Sequence, residues 1–240
     1  MPLGFLRHPR RQGPLAIREA QESDHPDIED LLAHAHPLYS GLGGGMREAA
    51  QDNVTLLAWQ EGKPAGIVTA HRQGPDVAWL HTLGLADDVS MEEVSLALLQ
   101  ALAQRLAQVG ATWLAYMDEH DLSWMRRLLE RAGFRLSTRV VGYEAPAQVP
   151  PDMGNRDVQV RPAGPGDIPA IARVDRAAFG PLWAYTEAVL SSVLGQVGCF
   201  LVAEVEGQVV GYVLCTLHEG QRGHVAVSYT HLTLPTIYSV

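Results

Sequence analysis

Ile17-Arg18-Glu19-Ala20-Gln21-Glu22-Ser23-Asp24-His25-Pro26-Asp27-Ile28 has a counterpart 143 residues later, Val160-Arg161-Pro162-Ala163-Gly164-Pro165-Gly166-Asp167-Ile168-Pro169-Ala170-Ile171. An apolar residue, an arginine and then Asp-x-Pro-x-Ile keep their spacing in both copies. A second stretch agrees at an offset of 145: Glu61-Gly62-Lys63-Pro64-Ala65-Gly66-Ile67-Val68 against Glu206-Gly207-Gln208-Val209-Val210-Gly211-Tyr212-Val213. A chain that repeats itself at one distance is built from copies of one folding unit. The 240 residues therefore read as two domains. The expected layout is a disordered tail at 1–14, a first domain at 15–144, a Pro-rich linker at 145–156 and the first half of a second domain at 157–226.

Composition narrows the class. Apolar residues make up 47% and charged residues 19%, enough to bury an ordinary core. A net charge of −9 argues against a nucleic-acid or anionic-membrane partner. The basic cluster Arg7-His8-Pro9-Arg10-Arg11 reads as a frayed terminus rather than a targeting signal. No apolar run reaches the ~18 residues that span a bilayer. Cys199 and Cys215, the only two cysteines, sit in apolar strand-like runs and read as buried reduced thiols rather than a disulfide, a metal pair or a nucleophile. These features together predict a cytoplasmic protein.

Along the first domain the pattern predicts a strand at Leu15 to Ala20. A helix follows, capped by Ser23 or Asp24, with Pro26 in its first turn and Ile28, Leu31 and Leu32 on its buried side. Ser40 to Gly45 reads as a flexible loop; no strand precedes it and no Gly-Lys-Ser/Thr follows, which excludes a phosphate loop. Val54 to Gln60 and Ala65 to Arg72 form an antiparallel hairpin across Glu61-Gly62-Lys63-Pro64, and Val77 to Leu85 is a further strand. Val94, Leu98, Leu102 and Leu106 repeat every fourth residue and give a helix from Met91 to Val109, ended at Gly110. Thr112 to Met117 is a strand, Leu122 to Ala132 a helix capped by Asp121, and Phe134 to Tyr143 a final strand or hairpin. The second domain repeats the first half of this order: a strand at Val158 to Arg161, helices at Asp167 to Phe179 and Tyr185 to Leu194, and a hairpin from Phe200 to Leu217. Such a mixture predicts an α+β (α/β layered) fold, a mostly antiparallel mixed sheet flanked by helices on both faces.

This order resembles the GCN5-related N-acetyltransferases, in tandem. The resemblance is carried by Ile17-Arg18-x-Ala20 and Val160-Arg161-Pro162-Ala163, by the two Glu-Gly hairpins ending in Gly66 and Gly211, and by Leu128-Leu129-Glu130-Arg131-Ala132-Gly133-Phe134. It implies acetyl-CoA as co-substrate, lying in a gap between the fourth and fifth strands. Its pantetheine arm would pair with the backbone of the fourth strand, here Leu83 and Leu85. Its pyrophosphate would sit on the N-terminus of the next helix, where first-turn N–H groups lack partners and carry partial positive charge. It also implies direct attack by a small-molecule or peptide amine, with a general base taking the amine proton and a tyrosine protonating the leaving thiolate.

The chain departs from that family's phosphate motif, Gln/Arg-x-x-Gly-x-Gly/Ala. The matching positions are Ser90, Glu93 and Ser95, within Asp87-Asp88-Val89-Ser90-Met91-Glu92-Glu93-Val94-Ser95. Ser90-x-x-Glu93 reads as a capping box that would satisfy the helix from within. Asp87, Asp88, Glu92 and Glu93 bring up to four negative charges to the same turn. One unit charge pair at ~4 Å is worth roughly 4 kcal/mol at an effective dielectric of ~20, so several acids should outweigh what the amides offer a pyrophosphate. The same acids could instead hold a cationic ligand. The family's tyrosine falls on Leu129 and its asparagine on Leu122. His81 is the candidate general base, with a hydrogen-bonded strand histidine as the alternative. Asp118, Glu119, His120 and Asp121 could bind a metal or an amine, but read as a solvated loop with a helix cap; no metal is expected.

In the second domain a fourth strand begins at Gly223-His224-Val225-Ala226, with no phosphate loop or long helix after it. Val227 to Thr236 resemble the in-frame translation of a transposase adapter used for sequencing libraries, and residues 227–240 are expected to be non-native; an edge strand is the alternative. A second sheet left unfinished would be poorly soluble or form a homodimer. The resulting expectation is an N-acetyltransferase whose activity resides in an intact second domain, inactive as it stands, with the first as a degenerate partner. The alternative is a non-catalytic binding module with an acidic cleft.

Overall fold

A computed structural model describes residues 11–34, 36–40, 53–74, 76–117, 123–139, 155, 157–218 and 222–230. The chain divides into two compact units, Met1–Ser137 and Thr138–Val240.

Unit 1 runs β1 (Leu15–Glu19), a 3-10 turn (Glu22–Asp24), α1 (His25–His34), β2 (His36–Ser40), β3 (Asn53–Gln60), β4 (Lys63–Arg72), β5 (Val77–Leu85), α2 (Met91–Gln108), β6 (Trp113–Ala115) and α3 (Ser123–Arg131). The sheet order is β1-β3-β4-β5, all antiparallel, and two strands share the outer edge of β5: β2 antiparallel and β6 parallel. Side chains alternate along a strand, so one strand feeds two layers. On β3, Leu56 and Ala58 join the core with Val94, Leu98, Leu102 and Leu106 of α2, while Leu57 joins Leu31 of α1 and Ile67 of β4. Helices therefore cover both faces of a mixed, mostly antiparallel sheet, an α+β architecture. The stripe read from the sequence is the buried stripe of α2, and Leu98 is fully enclosed. Truncating such a leucine costs roughly 2–5 kcal/mol.

Two glycines have identifiable jobs. In the β3–β4 hairpin, Glu61 (φ 53°) and Gly62 (φ 73°) both adopt left-handed backbone, as a two-residue loop matched to strand twist requires. At Gly66 a Cβ would lie 2.6 Å from Leu85 Cδ2 and 3.0 Å from Leu98 Cδ1 and the Gly84 carbonyl oxygen, so only glycine lets β4 pass beneath α2.

Unit 2 runs β7 (Gln159–Pro162), a 3-10 turn (Pro165–Asp167), α4 (Ile168–Trp183), α5 (Glu187–Val193), β8 (Cys199–Val205), β9 (Gln208–His218) and β10 (Arg222–Thr230). Its sheet order is β10-β9-β8-β7, antiparallel throughout. The local geometry of unit 1 recurs. Arg18 closes on Asp24 with Nη1–Oδ2 at 2.6 Å and Nη2–Oδ1 at 2.7 Å; Arg161 closes on Asp167 at 2.7 and 2.8 Å. Each aspartate also accepts the backbone N–H three residues earlier, Gln21 or Gly164. Glu206 (φ 50°) and Gly207 (φ 76°) repeat the hairpin turn. Both hairpins shift register at the same relative place, Ala58/Trp59 and Ala203/Glu204. In α4, Gly180 (φ 64°) followed by Pro181 breaks the helical backbone. The buried Asp175 accepts from the Tyr185 N–H at 2.6 Å and from the Tyr212 hydroxyl.

Several expectations change. From Arg11 the supposed tail is tied to the β3–β4 hairpin: the Gln12 N–H donates to Glu61 Oε1, and Gln60 Nε2 donates to the Gly13 carbonyl at 2.6 Å. Leu32 is 48% exposed and Ile28 half-buried, so of the three apolar positions on α1 only Leu31 is fully buried. Residues 134–139 form no strand; Gly133 (φ 94°) ends α3. The strand at 36–40 was not anticipated: a strand does precede the glycine-rich stretch, and Ser40 is its last residue rather than the start of a loop. Readings made on residues 1–10, 41–45, 118–122, 140–154, 156 and 231–240 lie outside the described residues.

The paired aspartates make folding acid-sensitive. The arginine fork first, then the backbone N–H, holds both Asp24 and Asp167 down to about 2. A lowered pKa gives stability that is present above the ordinary carboxylate value of about 4 and is lost as pH falls through the folded-state value. Urea midpoints should therefore drop over that window, and the drop should be shallower in an Asp24→Asn/Asp167→Asn double variant. Gly66→Ala should lower the midpoint at neutral pH by roughly 1–3 kcal/mol of stability, through overpacking.

Candidate active site

The outer edge of β5 changes partner halfway along. Val77, Ala78 and Trp79 pair with β6, while Thr82, Leu83, Gly84 and Leu85 pair with β2. Between them the β4–β5 register slips: Thr69 faces Thr82 but Ala70 faces Leu80, leaving His81 as the extra residue of a bulge. A bulge bends its strand and re-aims a side chain. The His81 Nδ1 lies 3.0 Å from Thr82 Oγ1, and its ring meets that of the buried His71 edge-on, centroids 6.0 Å apart. His81 itself is half-buried.

After Leu85 the chain turns through Ala86–Val89 into α2. Ser90 stands at the N-cap with extended backbone (φ −76°, ψ 105°), and its carbonyl takes the first helical bond from the Val94 N–H at 3.0 Å. Its side chain makes no cap hydrogen bond. The expected capping box is therefore absent, and Ser90 gives the first-turn N–H groups of this 18-residue helix no side-chain cap. The reason is local: Ser90 meets the backbone criterion for a cap, but a box also needs its hydroxyl aimed at residue 93.

The charge count also changes. Arg11 places Nε 2.9 Å from Asp88 Oδ2 and Nη2 2.8 Å from Oδ1, while Nη1 donates to the Pro64 carbonyl at 2.9 Å and the Arg11 N–H to the Asp88 carbonyl at 2.8 Å. Its side chain is only 12% exposed, which favours a strong two-pronged bond. Glu92 forms an ion pair with Arg131 of α3, more exposed and worth correspondingly little. Asp88 and Glu92 thus each face a guanidinium. Ser95 is fully buried one turn into α2, and its Oγ finds no hydrogen-bond partner among the described residues.

The residues picked from the sequence form one strip: His81 at the bulge, Leu83 and Leu85 on the β2-paired stretch with their side chains in the core, Ser90 at the cap and Ser95 behind it. Missed were Arg11, His71 and β2. The two guanidinium partners belong to distant stretches, and nothing local signals them. Leu129 is buried against the core at the position where the resemblance expects a tyrosine. A cavity of about 380 Å³ bordered by Glu19, Glu22, His25, Asn53 and Arg105 lies at the Asn53 end of β3, away from this strip. Among the described residues no three His, Cys, Asp or Glu side chains gather as a metal site, and no helix is long and apolar enough to cross a membrane.

No protein-family model and no curated protein matches the chain. Among solved structures it is similar to AAC(6')-Iy in complex with a CoA bisubstrate analogue (15% identity, 56% of this chain, all of that one, TM-score 0.46). It is similar also to the aminoglycoside 6'-N-acetyltransferase AAC(6')-Ih of Acinetobacter baumannii (18%, 56% and 100%, TM-score 0.44). A third is the ribosomal-protein-S18-alanine N-acetyltransferase of Escherichia coli (20%, 52% and 80%, TM-score 0.43). All three scores lie below 0.5.

The Arg11 fork predicts a measurable coupling. Arg11→Ala should destabilise the chain by roughly 1–3 kcal/mol, since it leaves Asp88 unpaired. Asp88→Asn should cost less, and in the double variant most of the Arg11→Ala penalty should vanish. A double-mutant cycle from urea unfolding reads this out; additive effects would mean the pair carries no weight.

Proposed function

We propose that unit 1 is an acyltransferase domain that moves an acetyl group from acetyl-CoA to a primary amine. The observation that carries this reading is the uncapped N-terminus of α2, reached directly from a strand that parts from its parallel neighbour after Trp79. First-turn amides without a cap suit a phosphate, and the partial positive end of a helix favours it. The neutralisation of Asp88 by Arg11 and of Glu92 by Arg131 removes much of the repulsion that the sequence suggests. The donors present at this turn therefore fit an anion. Backbone groups of Leu83 and Leu85 and the α2 amides after Ser90 are the groups that would hold acetyl-CoA, with the buried Ser95 behind them.

When bound, acetyl-CoA would supply the acetyl group as a thioester. His81 would take a proton from the incoming ammonium or amine at Nε2, with Nδ1 engaged by Thr82 Oγ1. The amine nitrogen then bonds to the acyl carbon as the carbon–sulfur bond breaks. Leu129 offers the leaving thiolate no proton, so solvent is its donor and turnover should be slow. Unit 2, with the same Arg–Asp fork and the same hairpin turn, we read as a second copy of this fold, giving a tandem arrangement.

A second reading has its own observation. β2 already occupies the stretch of β5 that the pantetheine arm would use. If β2 stays there, unit 1 is a binding module, and Glu93 biases it toward a cationic ligand.

Titration calorimetry of the full chain separates the two. The acyltransferase reading predicts micromolar binding of acetyl-CoA, and loss of acetyl transfer to a small amine on His81→Gln by about 10²-fold or more in kcat with acetyl-CoA affinity retained. Absence of acetyl-CoA binding together with tight binding of spermidine would support the module instead.

A further inference from the structure

We propose that Cys199 and Cys215 form a reversible thiol–disulfide site that staples β8 to β9 in unit 2. The two residues are direct partners in the antiparallel register, Cys199 at the first position of β8 and Cys215 near the far end of β9. Facing residues of antiparallel strands have Cα atoms about 4.5 or about 5.5 Å apart, depending on the type of pair, and they project to the same face. Both separations fall within the roughly 4.4–6.8 Å that a disulfide spans. Both thiols are free and half-exposed, so an oxidant can reach them. They touch each other: burial first, then the charge of Cys199 and a hydrogen bond with it, pushes the Cys215 thiol up. The chain holds no other cysteine, so any internal disulfide is this one.

The chemistry balances with a small disulfide as oxidant. The Cys199 thiolate attacks one sulfur of oxidised glutathione and releases one glutathione thiolate. Cys215 then gives up its proton and attacks the Cys199 sulfur, releasing the second. One disulfide is reduced, two cysteine thiols are oxidised, and their two protons end on the two glutathiones. The bond closes the open end of the β8–β9 hairpin, opposite the Glu206-Gly207 turn, where the strands would otherwise fray. Its half-exposed position puts it in the labile class rather than among inert structural bridges. The proposal is independent of the acyltransferase reading.

The test uses the reduced full chain incubated with oxidised glutathione, followed by alkylation and mass spectrometry. The expected result is loss of both alkylatable thiols, an intact mass lower by two hydrogens, a peptide pair joining residues 199 and 215, a higher unfolding temperature, and full reversal by dithiothreitol. Cys199→Ala and Cys215→Ala should each instead retain a stable glutathione adduct on the remaining cysteine. Two glutathione adducts on the native chain, a disulfide-linked dimer, or thiols that stay alkylatable while urea-unfolded chain does oxidise would each overturn it.

Discussion

A guanidinium closed on a carboxylate by two parallel hydrogen bonds ties the first strand of each unit to its first helix. The aspartate is also bonded to a backbone N–H three residues back, so it fixes the angle at which the chain leaves the strand. The rest of each unit is built on that angle: the helix covers one sheet face, and the hairpin brings Gly66 or Gly211 alongside the strand that follows. What surrounds the arginine differs. Arg18 stacks on Trp59, 5.2 Å from its ring centre, where Arg161 donates to Glu204 at 2.6 Å. The fork persists while its neighbour is exchanged, as expected if the fork sets the geometry and the neighbour only shields it.

At the other end of unit 1 electrostatics is the constraint. A helix N-terminus ringed by acids would repel anions, and the sequence of the turn read alone suggests that. Tertiary structure brings Arg11 from before β1 and Arg131 from the end of α3 to two of those acids. A half-buried fork such as Arg11–Asp88 is screened little by solvent, so its effect on the local field is larger than that of the exposed Arg131 pair.

What was legible in the sequence was what is local or periodic. The i, i+4 stripe of α2, the Glu-Gly turns and the repeated openings each depend on residues within a few positions of one another, and the structure bears their elements where the pattern put them. Pairings that join distant stretches were not legible. Arg11 looked like part of a basic tail because its partner, Asp88, lies 77 residues away. β2 lacks clear period-2 patterning and carries Pro37, which argues against a strand, and only its register against β5 makes it one. The Ser90 box failed for the opposite reason: a strong local motif overridden by side-chain orientation. The positions read as a candidate site, His81 to Ser95, lie along β5 and the start of α2, as local patterning places them, whereas the nearby counter-charges and the occupied edge of β5 come from distant stretches that local patterning does not show.

The account stands or falls on the first turn of α2 as an anion site. Amide hydrogen exchange of the full chain, read by mass spectrometry with and without acetyl-CoA, addresses it most directly. The account predicts slower exchange at residues 91–95 and faster exchange at 36–40 as β2 gives up its place on β5. Unchanged exchange at 91–95 under saturating acetyl-CoA would contradict it.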